Sequence, residues 1–149
     1  ELSKKIDSIE KKCERCDIIL FPKMSPAVMV LIYRDKEILL ARSWHFKAGM
    51  YSAIAGFIEL GETAEMAAIR EAKEELGVDI ENLEYFGTQT WPFPDSFMIA
   101  FKAKFKEGEL KIDPVEIEAA QWFNIDNLPI LPPSASISRK LIESVIQSW

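Results

Sequence analysis

Residues 56–78 read GFIELGETAEMAAIREAKEELGV, and this stretch decides both fold and chemistry. A helix is expected over about 62–76. Thr63 can cap its start, and Gly77 stands where a helix-ending glycine belongs. Within it Glu71, Glu74 and Glu75 fall at i, i+3 and i+4, so at 3.6 residues per turn they share one face. Like charges at that spacing cost roughly 0.2–0.5 kcal/mol per pair. Stacked beyond Glu62, they carry repulsion that a divalent cation would remove. An all-oxygen carboxylate set suits Mg²⁺ or Mn²⁺ rather than Zn²⁺. Arg70 can pair with one of the glutamates or with substrate. Ala64, Ala67, Ala68 and Ala72 are small enough to let the helix sit closely on a sheet. A solvated acidic helix face accounts for the glutamates alone equally well.

The flanking sequence supplies that sheet. Residues 27–33 (AVMVLIY) are an apolar, β-branched run, and 34–36 form a turn from which 37–41 return as a second strand. Residues 44–50 are a loop, and 51–58 are short extended pieces broken by Gly56. Strands are expected at 83–90, at 97–105 with period-2 alternation, and at 120–123. Between the first two, Trp91-Pro92-Phe93-Pro94 is expected to be non-regular, because prolines remove ladder donors. Ser134 or Ser136 can cap a last helix running to about 147. Residues 2–12 are expected to be a short helix or a frayed tail. Strands, one helix, more strands and one helix suggest a mixed sheet between helices.

Composition agrees with one domain. The chain has 149 residues, 48% of them hydrophobic, too many for an intrinsically disordered chain. Its net charge is −6, which argues against duplex DNA as main partner, since phosphate neutralisation needs clustered Lys and Arg. The longest apolar run is too short to span a bilayer, and no signal-peptide pattern opens the sequence. His45 is the single histidine, which excludes a multi-His metal site; in a loop it reads as a surface residue. Cys13 and Cys16 are too few for a disulfide scaffold and read as half a zinc site, a redox pair or two ordinary thiols. The expected setting is cytoplasmic, with chemistry resting on carboxylates.

Spacing then gives a family resemblance. Gly56, five residues, Glu62, seven residues, Arg70-Glu71-Ala72, one residue, Glu74-Glu75, one residue and Gly77-Val78 resembles the Nudix box at every fixed position, with Ala72 small where a larger aliphatic residue is usual. The resemblance implies the Nudix α/β/α sandwich, an α/β fold whose mixed sheet carries the box helix and a C-terminal helix. It also implies Mg²⁺- or Mn²⁺-dependent hydrolysis of a nucleoside diphosphate linked to another group. Glu71, Glu74 and Glu75 would be metal ligands. Glu74 or Glu75 would also position or deprotonate the water, and Arg70 would orient the glutamates. Which glutamate is the base stays open.

Downstream, Thr88-Gln89-Thr90-Trp91-Pro92-Phe93-Pro94-Asp95-Ser96 is similar to the SQPWPFPxS signature of the NADH pyrophosphatase subfamily, matching six of eight specified residues. This implies substrate contacts from Gln89, Trp91, Phe93 and Ser96, with Phe57 a further stacking residue. Proline-stiffened aromatics bind planar rings at low entropic cost; the competing readings are a core plug or a ligand for a partner. Asp113-Pro114-Val115-Glu116-Ile117-Glu118 and the following Ala-Ala-Gln-Trp-Phe resemble a later family segment in which Glu116 is an added metal-contacting acid and Glu118 the runner-up. Residues 132–138 resemble its C-terminal PPxxSIA motif, with Ser138 in place of Ala.

Cys13-x2-Cys16, with Phe21-Pro22-Lys23 following, is similar to the second half of the subfamily's zinc ribbon. Residues 1–22 are therefore read as a partial zinc-ribbon-like segment and 23–149 as a Nudix hydrolase domain. Either the chain is trimmed or the ribbon is degenerate, because two cysteines cannot close a tetrahedral zinc sphere. The implied reaction splits NAD(H) into NMN(H) and AMP, and the same chemistry would remove an NAD cap from RNA. Alternatives are hydrolysis of ADP-ribose or another nucleoside diphosphate derivative, and a non-catalytic Nudix-like module, against which the intact glutamates argue. Trp44, Phe46 and Trp149 are large aromatics in loop or terminal positions, and family members are commonly homodimers, so a dimer near 34 kDa, twice 17.0 kDa, is expected.

Overall fold

Ten residues in the first half of the chain organise the molecule. In strand β4 (Ser25–Arg34), Val28, Val30 and Ile32 point to one face and Met29 and Leu31 to the other, and all five are buried. A strand buried on both faces needs a cover on each side. The computed structural model describes residues 2–4 by their backbone and residues 9–149 in full. Before β4 come β1 (Leu2–Lys4), β2 (Lys11–Cys13) and β3 (Ile19–Leu20); after it come β5 (Glu37–Ser43), β6 (Ile54–Phe57), α1 (Ala64–Leu76), β7 (Asp79–Trp91), β8 (Ser96–Glu107), β9 (Ile117–Asn124) and α2 (Ile137–Ile146).

The main sheet runs β7-β8-β4-β5-β9, with β6 also paired to β4. Only β4 and β8 are parallel; the other pairings are antiparallel. One edge of β4 is shared. Its far end pairs with β5 through the Arg34–Glu37 hairpin, while its near end, Ala27 to Val30, pairs with Phe57 to Ile54 of β6. This split opens the sheet beside Gly56 and Phe57. Helix α1 covers one face: Ala67, Ala68 and Ala72 are fully buried against Val28, Val30 and Ile54. There an added methylene would overpack, at about 1–3 kcal/mol. Helix α2 covers the other face with Ile137, Leu141, Ile142 and Val145 on Met29, Leu31 and Leu40. The result is the expected α/β/α sandwich.

Both helix starts are capped as the sequence suggested. The Thr63 hydroxyl accepts from the Met66 N–H, the Ser136 hydroxyl accepts from the Arg139 N–H, and Gly77 closes α1 at φ 74°. Three expectations need correction. Where a helix or frayed tail was expected over 2–12, β1 and the start of β2 join a separate three-stranded sheet; residues 5–8 of that reading lie outside the described residues. Trp91 is not irregular: it closes the β7–β8 ladder opposite Ser96, and only 92–95 form the turn. Strand β7 begins at Asp79, earlier than expected, and absorbs register shifts near Asn82, whose φ is 50°.

Candidate active site

Beside the paired ends of β4 and β6, against α1, lies a cleft of about 780 Å³. Its walls include Gly56, Phe57, Glu59, Arg70, Glu71, Glu74, Glu75, Ser96, Met98, Asp113 and Glu116. Arg70 organises it. Its Nε donates to Glu62 at 2.6 Å and its Nη1 to Glu71 at 2.8 Å and Glu74 at 3.0 Å; its Nη2 donates to Glu62 and to the Phe57 carbonyl, both at 2.9 Å. One guanidinium thus orients three carboxylates and ties α1 to β6. It holds the Glu62 carboxyl down at about 2, with the Glu59 backbone N–H assisting.

Glu75 is not paired with Arg70 in this way, and the glutamates differ in burial. Glu71 and Glu75 are almost fully buried, whereas Glu74 stands on the exposed rim. The three glutamates therefore do not share one equivalent environment, as the helical spacing alone suggested. Burial raises both Glu71 and Glu75. Glu75 is pushed to about 8, first by burial and then by the charges of Glu71 and Glu116. Its Oε2 is buried with no hydrogen-bond partner. A buried, unpartnered carboxylate oxygen is costly unless something binds it.

Gly56 shows how tightly this space is reserved. A Cβ built there would lie 2.0 Å from the Glu71 carboxyl, so only glycine leaves room for it. The orphaned Glu75 oxygen, the Gly56 cradle and the all-oxygen donor set fit a hard divalent cation. Among the described residues, no three ligands already converge into a closed cage. An open site is what Mg²⁺ or Mn²⁺ at a phosphate needs, since it keeps waters and takes one or two carboxylates plus phosphate oxygens.

A second chamber of about 260 Å³ adjoins the cleft on the α2 face. It is lined by Met29, Phe46, Met50, Gln89, Trp91, Met98, Pro132, Pro133 and the first turn of α2. Met98 lines both spaces. A third recess joins them again, sharing Met29 and Phe46 with the chamber and Glu75 and Glu116 with the cleft. An acidic cleft thus borders a mostly apolar chamber, which suits a ligand with a charged centre and a planar end.

The sequence-derived residues distribute as follows. Phe57 and Ser96 line the cleft with the glutamates, and Glu116 joins them from the turn before β9. Trp91 lines the chamber. Phe93 is absent from both walls: it is 72% exposed and packs edge-on against Trp91 at 5.5 Å, so it braces the indole. The Gln89 amide is occupied by backbone, accepting from the Ile137 N–H and donating to the Ala135 carbonyl. Glu118 pairs with Arg42 at 2.6 Å outside the cleft, which removes it as a runner-up. Cys13 ends β2 and Cys16 lies in the turn that follows; they are the chain's two cysteines, and the pKa of the Cys13 thiol is lowered by hydrogen bonds from the Arg15 backbone and Cys16. No zinc sphere is completed among the described residues. His45 is an exposed loop residue, as expected.

Asp113 and Glu59 were not anticipated. The Asp113 N–H donates to the Glu75 carbonyl, and its Oδ1 accepts from the Val115 N–H, fixing the turn that presents Glu116. Only the fold brings this turn to α1. Glu59 lies inside the quoted box, so its place beside Glu62 was the nearest available signal.

The raised Glu75 value has a testable consequence for stability. Between about pH 4.5 and 8, folded metal-free protein keeps a proton that the unfolded chain has released, so its stability falls as pH rises through that window. Glu71 acts in the same direction. The slope approaches about 1.4 kcal/mol per pH unit for one such group. Glu62 has the opposite sign: its stabilisation is present above pH 4.5 and is lost as pH falls toward 2. Thermal melts in chelator are expected to give a higher Tm at pH 5.5 than at pH 8, with the difference shrinking when Mg²⁺ or Mn²⁺ is added. A flat profile in chelator contradicts the burial of Glu75.

Comparison with known proteins agrees with this geometry. The sequence model of the NUDIX domain matches residues 23–145, and the chain belongs to the Nudix family. The NAD-capped RNA hydrolase NudC of Pseudomonas aeruginosa (strain LESB58) is 48% identical over 132 residues, covering 89% of this chain and 48% of that protein. The NAD-capped RNA hydrolase NudC of Chromobacterium violaceum is 50% identical over 136 residues, covering 91% of this chain and 51% of its own length. The chain thus spans about half the length of the curated relatives it matches. Among solved structures, a MutT NUDIX hydrolase from Burkholderia pseudomallei superposes with a TM-score of 0.70 at 26% identity, covering 83% of this chain and 98% of that one. A NUDIX hydrolase from Nitrosomonas europaea reaches 0.77 at 16% identity, covering 99% and 85%.

Proposed function

We propose that this chain hydrolyses the pyrophosphate of NAD(H) to NMN(H) and AMP, and by the same chemistry removes an NAD cap from RNA. The observation that carries this reading is the adjacency of the glutamate cleft and the Trp91 chamber, which share Met98 as a wall. A pyrophosphate at the glutamates leaves one nucleoside within reach of a chamber walled by an indole and by Phe46, while Phe57 stands exposed at the cleft for the other. The naming of the NudC relatives supports the same substrate class.

The residues divide the work. Glu71, Glu74, Glu75 and Glu116 would hold Mg²⁺ or Mn²⁺. When bound, the cation neutralises developing phosphate charge and lowers the pKa of a water. Arg70 fixes the carboxylates before substrate arrives, so little reorganisation remains at reaction. Glu75, buried and without a partner at Oε2, is placed to hold a proton taken from the attacking water. Ser96 offers a hydroxyl at the cleft wall for a phosphate oxygen.

Residues 1–22 fit a partial zinc-ribbon-like appendage to a catalytic domain over 23–149. A homodimer is the proposed assembly: Ile18, Ile19, Leu20, Phe21 and Met24 are exposed along one segment, and Trp44, in the loop after β5, is 58% exposed. Unpartnered apolar surface of this kind favours association. Among the described residues no helix is long and apolar enough to cross a membrane; a cytoplasmic setting is the one proposed.

Trp91→Ala separates this substrate from its competitor. Losing an indole contact removes on the order of 0.5–1.5 kcal/mol of stacking and roughly 1.5–3 kcal/mol of burial. The expected drop in kcat/KM for NADH is about ten- to a hundredfold, with a smaller drop for ADP-ribose. Equal losses on both, in step with a lowered Tm, would show a structural indole and favour an ADP-ribose-type substrate.

A further inference from the structure

Gln89 belongs to a segment whose resemblance implies substrate contact, but both ends of its amide are already used. Its Oε1 accepts from the Ile137 N–H at 2.7 Å, and its Nε2 donates to the Ala135 carbonyl at 2.9 Å. The assignment is self-consistent, because the carbonyl end meets a donor and the amino end an acceptor. Ile137 is the first residue of α2, whose opening N–H groups have no partner within the helix. Gln89 therefore acts as a second cap, reaching across from β7, beside the local cap Ser136.

This first turn is fastened on its other side as well. The buried Ser138 hydroxyl meets the Ser52 hydroxyl at 2.7 Å and accepts from the Ala53 N–H. The Ser136 hydroxyl donates back to the Pro133 carbonyl at 2.8 Å. Four of the fastened residues, Pro133, Ser136, Ile137 and Ser138, line the chamber together with Trp91 and Met98.

We infer that Gln89 is a positioning residue that sets the chamber's width by clamping the first turn of α2, and that it makes no direct hydrogen bond to substrate. The inference rests on the proposed dinucleotide reading for its kinetic consequence, but not for its structural one. A two-bond clamp holds the wall at a fixed distance from Trp91, so a planar ring fits without reordering of the wall on binding. Removing the clamp leaves the glutamates, Arg70 and the Glu116 turn untouched, since none of them contacts Gln89 or residues 135–137 in the bonds described.

The test uses the full chain and Gln89→Met, which keeps the length of the side chain but removes both bonds. Amide exchange followed by NMR is expected to be at least tenfold faster at Ile137 in the variant, with little change in α1. In steady-state assays with NADH and Mn²⁺, the loss is expected to fall on KM, by about tenfold, rather than on kcat. Unchanged exchange at Ile137 overturns the clamp. Faster exchange with an unaltered KM overturns its control of the chamber.

A wild-type measurement guards against a variant that does not fold. The Gln89 side-chain amide protons should be protected in the free protein and should stay so at saturating ADP-ribose. Exposure or rebonding of that amide when ligand binds would make Gln89 a substrate ligand and overturn the inference. Should wild-type protein fail to cleave NADH, the proposed substrate falls, while the exchange result at Ile137 still decides whether the clamp exists.

Discussion

Glu75→Gln is expected to lower kcat by at least a hundredfold while raising the Tm of the metal-free protein. Glu75 is 4% exposed, its Oε2 has no partner, and burial with two nearby carboxylates pushes it to about 8. A glutamine keeps shape and volume but cannot carry the charge that a cation binds or accept a proton from water. General-base assistance is worth about 10²–10⁴ in rate, and loss of a cation ligand adds to that. Stability should move the other way, because the substitution removes an ionisation the fold resists at neutral pH. The Tm gain in chelator should be larger at pH 8 than at pH 5.5. Glu74→Gln provides the contrast: on the exposed rim, bonded to Arg70, it should also impair turnover but leave the metal-free Tm nearly unchanged. Near-wild-type turnover in both variants would remove the carboxylates from the mechanism.

Gly56→Ala is expected to be almost as damaging although it deletes no functional group. The new Cβ would meet the Glu71 carboxyl carbon and Oε1 at 2.0 Å each. Atoms do not approach so closely, so Glu71 must swing away or β6 must shift from α1. Either movement breaks the 2.8 Å bond from Arg70 to Glu71 and displaces the Phe57 carbonyl that also holds Arg70. Overpacking of this kind costs about 1–3 kcal/mol. The expected result is a fall in kcat/KM of roughly a hundredfold or more, by the same arithmetic of misplaced groups, with a modest loss in Tm. Weaker Mn²⁺ binding by calorimetry should accompany it. Unchanged Mn²⁺ affinity would mean that Glu71 is not where the cation sits.

What the sequence revealed follows from how local each signal is. The α1 helix, its Thr63 cap, its Gly77 stop and its alanine face are written in contiguous spacing, and they appear as read. The hairpin at Arg34–Glu37 is equally local. Strands β1 and β2 were missed because short polar strands such as KKC carry no period-2 apolar pattern. Side-chain roles were less legible. Glutamates 71, 74 and 75 are neighbours by periodicity, but only the sheet decides that 71 and 75 are buried and 74 is exposed. Asp113 reaches α1 through backbone bonds that no spacing rule encodes. The chamber is assembled from four distant segments, so Met98 could not be assigned to it from sequence, and Phe93 could not be separated from Trp91.

The glutamate cleft is proposed to break one particular bond, the pyrophosphate anhydride of NAD(H). Wild-type protein incubated with NADH and Mn²⁺, with products resolved by chromatography, tests it most directly. NMNH and AMP are expected in equal amounts, dependent on the cation and lost in Glu75→Gln. Release of nicotinamide with ADP-ribose, or no cleavage by protein that binds Mn²⁺ normally, would contradict it.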